Sequence, residues 1–254
     1  MKRTFFVIVC CVMTIYFLPV SSLKASYGGS ISSFNEAFLT DQFVPKFIQL
    51  GGYFYYSSFD GYSAKNYGIL GVLPYGNKWN FGASLGLASW SPDEGDSESG
   101  LANPHLFAGY KLFGENSFHL LGHISVPIGK EEAGDGNFSM GAGGRYHLAI
   151  GAAHDITAVA KFNVYETKEF DSWGKTDTKY KTGVYLHGLY EYGVNDNLEV
   201  YGRFIHDDQR EYTLLAAGGF FHFLALHNLK AELGFGLSDG APDFQVFFVY
   251  LPRL

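Results

Sequence analysis

The residues able to do chemistry are few, and their spacing disfavours most of the chemistry they could do. His119 and His123 suggest a metal pair, because four residues is one turn of a helix. On a strand they would share a face but lie about 13 Å apart, too far for one zinc with ligands near 2 Å. The acidic run Asp93-Glu94-Gly95-Asp96-Ser97-Glu98 has the charge for calcium. It lacks the spacing and terminal glutamate of an EF-hand loop, so it reads as solvated loop charge with at most weak divalent binding. No Walker A loop, HExxH or GxSxG occurs, and Gly141-Ala-Gly-Gly144 is not a dinucleotide fingerprint. No metal, cofactor or catalytic residue is expected, and the chain does not read as an enzyme.

The ends and the composition narrow the classes further. Lys2 and Arg3 precede an apolar run from Phe5 to Val20, and a small-residue exit follows at Leu23-Lys24-Ala25. That is the layout of an export signal over residues 1–25. Its removal from the 254 residues leaves 229 and takes away both cysteines, Cys10 and Cys11. The mature chain then has no disulfide, thiolate nucleophile or cysteine-bound metal. The signal holds three of the 18 Lys and Arg and none of the 25 acids, so the mature formal charge is 15 minus 25, or −10. Nucleic acid is therefore not an expected partner. All 32 glycines remain, about 14% of the mature chain and twice the usual ~7%. After residue 25 no apolar stretch reaches the ~18 residues of a membrane helix, and the longest, 214–226, contains His222.

The elements that must hold these residues alternate with period two. In 229–237, Leu229, Ala231, Leu233, Phe235 and Leu237 share one face, and Lys230, Glu232, Gly234 and Gly236 the other. In 138–148, Phe138, Met140, Ala142, Tyr146 and Leu148 oppose Ser139, Arg145 and His147. In 179–192, Tyr180, Val184, Leu186, Tyr190 and Tyr192 oppose Lys179, Lys181, His187 and Glu191. Such alternation predicts strands with one apolar and one polar face. Twelve are predicted: 46–57, 64–73, 78–90, 102–113, 117–127, 137–148, 155–168, 179–192, 197–207, 211–223, 228–238 and 243–252.

Short and mostly longer connectors take turns. The short set includes 75–78, 114–117, 194–197 and 225–228; the other set comprises 58–63, 91–101, 128–136, 169–178, 208–210 and 239–242. A soluble sandwich has no reason for this alternation. A transmembrane antiparallel up-and-down β-barrel has one, with tight periplasmic turns and longer outer loops. Hydrocarbon permits no open sheet edge, so the sheet must close, and an even strand count leaves both termini periplasmic. The expected architecture is all-β: signal 1–25, a segment 26–45 forming a plug helix or a tail, and an outer-membrane barrel over 46–254. Ser33-Phe34-Asn35-Glu36 fits a capping box for the plug alternative.

Alternation assigns Lys111, Arg145, Lys161, Lys179, Lys181, Arg203 and Lys230 to the lumen, with Asp155, Glu191, Glu199 and Glu232. That is seven cations against four anions in an acidic chain. These charges either brace the wall by pairing across strands or line a pore, and both can hold.

The chain end Gly234-Phe-Gly-Leu-Ser-Asp-Gly-Ala-Pro-Asp-Phe244 resembles the final hairpin of the MetA-pathway-of-phenol-degradation family of outer-membrane barrels. The close resemblance covers one hairpin, and the rest matches in layout. It implies a barrel that passes small organic molecules, and no catalytic residues. The terminal Leu-Pro-Arg-Leu departs from the aromatic end usual for such barrels. The expected function is diffusion of small polar, aromatic or anionic solutes. The alternatives are a lipid-acting hydrolase, for which His206 near the outer rim is the one candidate base, and a structural barrel. Outer-membrane lipids, lipopolysaccharide and the barrel insertion machinery are the expected partners.

Overall fold

The computed structural model describes residues 48–113, 117–129, 137–170, 176–223 and 227–252. The expected signal and the segment 26–45 lie outside the described residues, as does the chain's last residue, Leu254. Thirteen strands occur among the described residues: β1 (Gln49–Phe59), β2 (Tyr62–Tyr75), β3 (Trp79–Pro92), β4 (Glu98–Leu101), β5 (His105–Phe113), β6 (Phe118–Ser125), β7 (Ser139–Ile150), β8 (His154–Phe170), β9 (Thr176–Asn195), β10 (Leu198–Asp207), β11 (Tyr212–Phe223), β12 (His227–Gly236) and β13 (Phe244–Pro252). Twelve of them form the barrel, in the order expected. The extra one, β4, is a four-residue ribbon within the connector 91–101 that, among the described residues, pairs with the long-loop end of β3.

Every barrel strand pairs antiparallel with its sequence neighbours, and β1 pairs with β13 to close the sheet. Closure follows from chemistry: an unpaired N–H or C=O in hydrocarbon costs several kcal/mol, at ~2 or more per group. The stagger can be read from the register. One row runs Ser84, His105, Ser125, Ser139, Tyr165, Lys181 from β3 to β9. Another runs Leu189, Arg203, Ala216, Gly234, Gln245, Ser57, Ala64, Trp90 from β9 back to β3. One circuit is thus displaced by the eight residues from Lys181 to Leu189 and the six from Ser84 to Trp90, a shear of 14. A shear of 14 over twelve strands corresponds to a tilt of about 40°, within the range of closed barrels.

The faces are inverted relative to a soluble protein. On β3 the buried residues are Asn80, Gly82, Ser84, Gly86 and Ala88, while Phe81, Leu85 and Leu87 are exposed. Phe162 is 72% exposed, whereas its neighbour Lys161 is 2% exposed. Apolar side chains face a surface that only lipid makes favourable, and polar ones face inward. Aromatic groups collect near the short-turn rim: Trp79 packs on Phe81 and Tyr110, and His227 on Phe223 and Tyr250.

Local turn chemistry sets the strand ends. Asp60-Gly61 alone joins β1 to β2, with Gly61 at φ +83, the left-handed conformation that a two-residue hairpin demands. The connector expected over 58–63 is therefore only two residues, and Phe59 and Tyr62 stack across it at 4.4 Å. Gly76 and Gly151 do the same work at opposite-rim turns. Both ends of the barrel, at β1 and β13, emerge on the short-turn rim.

Leu233, 49% exposed on β12, tests the orientation. Leu233→Arg is expected to destabilise the barrel by about 2–4 kcal/mol near the bilayer midplane, whereas Leu233→Phe is expected to be neutral. Urea unfolding in lipid vesicles, followed by heat-modifiable gel migration, measures both.

Candidate functional site: the barrel lumen

The lumen is built by the inward residues of all twelve strands. Arg145, Lys161, Arg203, Lys230 and Glu232 are buried on this face, and Lys111 is partly buried on it. Glu191 is half-buried near the short-turn rim. Asp155 and Glu199 lie at the same rim, with side chains 41% and 44% exposed. Lys179 and Lys181 keep the inward phase but are exposed. They sit on the part of β9 that precedes Tyr185 and has no ladder partner in β10, so the β8–β9 hairpin overhangs the long-loop rim.

Asp207 also faces the lumen, an anion absent from the set that the sequence predicts. It is fully buried and accepts a hydrogen bond from Tyr165 at 2.5 Å. Arg210, from the turn after β10, lies 3.8 Å from its carboxylate, and its guanidinium stacks 4.0 Å over Tyr165. The missed signal was the phase of β10 itself, in which Tyr201, Arg203, Ile205 and Asp207 share one face. Location then revises the charge count. Among the described residues the buried charged set is four cations, Arg145, Lys161, Arg203 and Lys230, and two anions, Asp207 and Glu232.

Pairing is local. Arg203 Nη2 lies 3.2 Å from Glu232 Oε2, with both side chains fully buried, and Tyr201 donates its hydroxyl to the same oxygen at 2.9 Å. Lys230 places Nζ 4.6 Å over the Tyr201 ring and 4.9 Å over Phe220. Lys161 Nζ lies 4.3 Å over Tyr185 and 3.4 Å from His123 Nδ1. A cation over an aromatic face gains about 1–2 kcal/mol when desolvated. At the short-turn rim, His147 Nε2 meets Asp155 at 3.0 Å and His222 Nε2 meets Glu199 at 3.2 Å.

On the opposite arc, β5, β6 and β7 bring Lys111, His119 and Arg145 into direct cross-strand register. His119 and His123 both belong to β6, whose inward residues include them. His206 lies on the outward phase of β10, its Nδ1 2.9 Å from Thr213 Oγ1.

Glycines let the long inward side chains lie along the wall. A Cβ at Gly234 would meet three atoms of the Gln245 side chain, at 2.7, 2.9 and 3.0 Å. One at Gly109 would meet the Asn80 amide at 2.2 Å. Each of these two glycines is the bed on which a neighbouring strand's side chain folds down, whereas at Gly68, Gly143 and Gly218 a Cβ would meet the backbone carbonyl of the adjacent strand.

Residues 34–249 match the family described as "Putative MetA-pathway of phenol degradation". The chain belongs to that family. Among solved structures, an outer-membrane channel from Pseudomonas putida F1 superposes with a TM-score of 0.59 at 17% identity, covering 83% of this chain and 96% of the other. The translocator domain of the autotransporter NalP from Neisseria meningitidis gives 0.57 at 10% identity, over 90% and 99%. The NanC porin gives 0.55 at 12% identity, over 82% and 100%. At these identities the likeness is one of fold, that of an outer-membrane β-barrel. No curated protein sequence matches this one.

Two outcomes check the lumen. Glu232→Leu leaves Arg203 buried without its carboxylate and is expected to cost about 3–5 kcal/mol, with most of this recovered in Arg203→Met/Glu232→Leu. Urea unfolding of the three variants measures it. Gly109→Ala is expected to fold, because only Asn80 must move, and to lower any single-channel conductance by swinging that amide into the bore.

Proposed function

We propose that this protein is a passive outer-membrane channel for small polar or aromatic solutes, with anions favoured over cations. One observation carries the anion preference: among the described residues the buried charges number four cations to two anions, while Asp155, Glu191 and Glu199 lie toward the wetter short-turn rim. Charges in water are screened beyond about 8–10 Å at physiological salt. Buried wall charges act at shorter range and in a lower dielectric, so their surplus dominates along the path. Within this reading the ladder of Lys111, His119 and Arg145 is the anion's track. The paired Arg203 and Glu232 brace the wall opposite.

A twelve-stranded bore supports small solutes, since it falls between barrels of eight strands, whose interiors are filled, and those of sixteen or more, which hold wide channels. In the same reading the signal 1–25 is removed on export, the short-turn rim and both termini face the periplasm, and lipopolysaccharide surrounds the long-loop end. For the segment 26–45, the plug and the tail are separated by its truncation.

Reversal potentials in planar bilayers across a salt gradient test the proposal on the mature chain and on a form lacking residues 26–44. Anion selectivity is expected, weakening in Arg145→Ala/Lys161→Ala; a conductance that rises in the truncated form marks 26–45 as a plug, and an unchanged one marks it as a tail. Cation selectivity in both forms would refute the anion track. Absence of conductance in both would refute the channel.

A further inference from the structure

On β13, β1 and β2 the lumen nearer the long loops is lined by neutral residues, while Asp207 on β10, opposite Tyr212, is held by Tyr165 and Arg210. Tyr55 and Tyr212 both donate their hydroxyls to Gln245 Oε1, at 3.1 and 3.2 Å. Tyr53 donates to Asn66 Oδ1 at 2.9 Å. Both amide oxygens are thus committed to tyrosines. The Gln245 Nε2 and Asn66 Nδ2 groups, and the Ser57 hydroxyl, have no hydrogen-bond partner among the described residues. All three side chains are fully buried.

The register brings them together. Ser57 is directly opposite Gln245 on β13, and Tyr55 is directly opposite Asn66 on β2. The three groups therefore occupy one patch of wall across β13, β1 and β2, among the rings of Tyr53, Tyr55, Tyr212 and Phe247. Gln245 is the second residue of β13 and Ser57 the third from the end of β1, so the patch lies toward the long-loop end.

Buried N–H donors without acceptors are costly. Among the described residues, unpartnered polar atoms recur around the wall, on Asn80, Ser84 and Ser139 among others, but at this patch amide donors stand among aromatic rings. What they lack is an acceptor, and what surrounds them is aromatic. A ligand that supplies oxygen lone pairs on an aromatic ring matches both. The cation surplus of the buried wall adds a preference for negative charge.

We propose that Gln245, Asn66 and Ser57 form a binding station for an aromatic carboxylate, its oxygens accepting from the two amides and its ring lying among the tyrosines. The station rests on the channel reading above, from which it takes the entry of solutes into the lumen. Because the three donors are buried, the surrounding tyrosine rings move aside to admit the solute.

Benzoate is the probe, measured by equilibrium dialysis against the refolded mature chain. Gln245→Glu keeps an oxygen for both tyrosine hydroxyls and replaces the donor by a second oxygen, and Asn66→Asp does the same for Tyr53. Heat-modifiable migration verifies that each variant folds. Saturable benzoate binding is expected, weakened at least about tenfold by either substitution, since one hydrogen bond to a charged group is lost and a repulsion gained. Benzylammonium, a ring with only donors, should bind the native chain poorly and Gln245→Glu better. Equal benzoate binding by folded native, Gln245→Glu and Asn66→Asp proteins, or no saturable binding at all, overturns the station even where bilayers show anion-selective conductance. Benzoate binding that the variants abolish, in a protein that conducts no ions, supports the station and sinks diffusion through the lumen instead.

Discussion

The obligation to pair every backbone N–H and C=O in a medium without water governs this molecule. The pairing of β1 with β13 meets it, and the other features follow from that closure. A closed sheet has an inside and an outside, so period-two alternation becomes a lipid face and a lumen face. The usual rule of burial inverts: Phe162 is among the most exposed residues and Lys230 among the most buried. The shear of 14 sets which side chains meet across the wall, and through them the chemistry of the bore.

Inside, the difficulty is to hold long polar side chains without desolvating charge or blocking the bore. Two devices address it. Aromatic rings take up cations: Tyr185 lies under Lys161, and Tyr201 and Phe220 lie under Lys230. Glycines give side chains a bed on the wall, as Gly234 does for Gln245 and Gly109 for Asn80. The high glycine content has this specific use besides the turns at Gly61, Gly76 and Gly151. A Cβ at those inward positions would turn a wall-lining amide into an obstruction.

Charge in the lumen is a matter of place rather than number. Lys179 and Lys181 have the inward phase, but the long β8–β9 hairpin carries them beyond the wall. Asp207 enters the buried set with its own tyrosine and arginine. Three of the acids gather toward the short-turn rim on β8, β9 and β10, where Asp155 and Glu199 meet histidines. The bore thus carries a tyrosine–amide patch on β13, β1 and β2 nearer the long loops, with the buried Asp207 beside it opposite Tyr212, and Asp155, Glu191 and Glu199 nearer the short turns. That arrangement supports two kinds of solute contact in series.

The sequence alone determined the architecture: twelve strands, their faces, the alternation of tight and longer connectors, and the phase of Arg145, Lys161, Arg203, Lys230 and Glu232. These are local properties, since a two-residue period and a turn motif are readable without knowing which strand lies beside which. The family resemblance likewise sat in one contiguous hairpin, 234–244. Only the tertiary structure decided the register, and with it every cross-strand relation. That Arg203 meets Glu232, that Gln245 collects hydroxyls from Tyr55 and Tyr212, and that Lys111, His119 and Arg145 stand in one row all depend on shear. Shear is a global quantity: it sums the staggers of all strand pairs around the closed circuit, so no single segment of sequence contains it. The overhang of β9 has the same origin, because whether a residue lies inside the wall depends on where its neighbours' strands end.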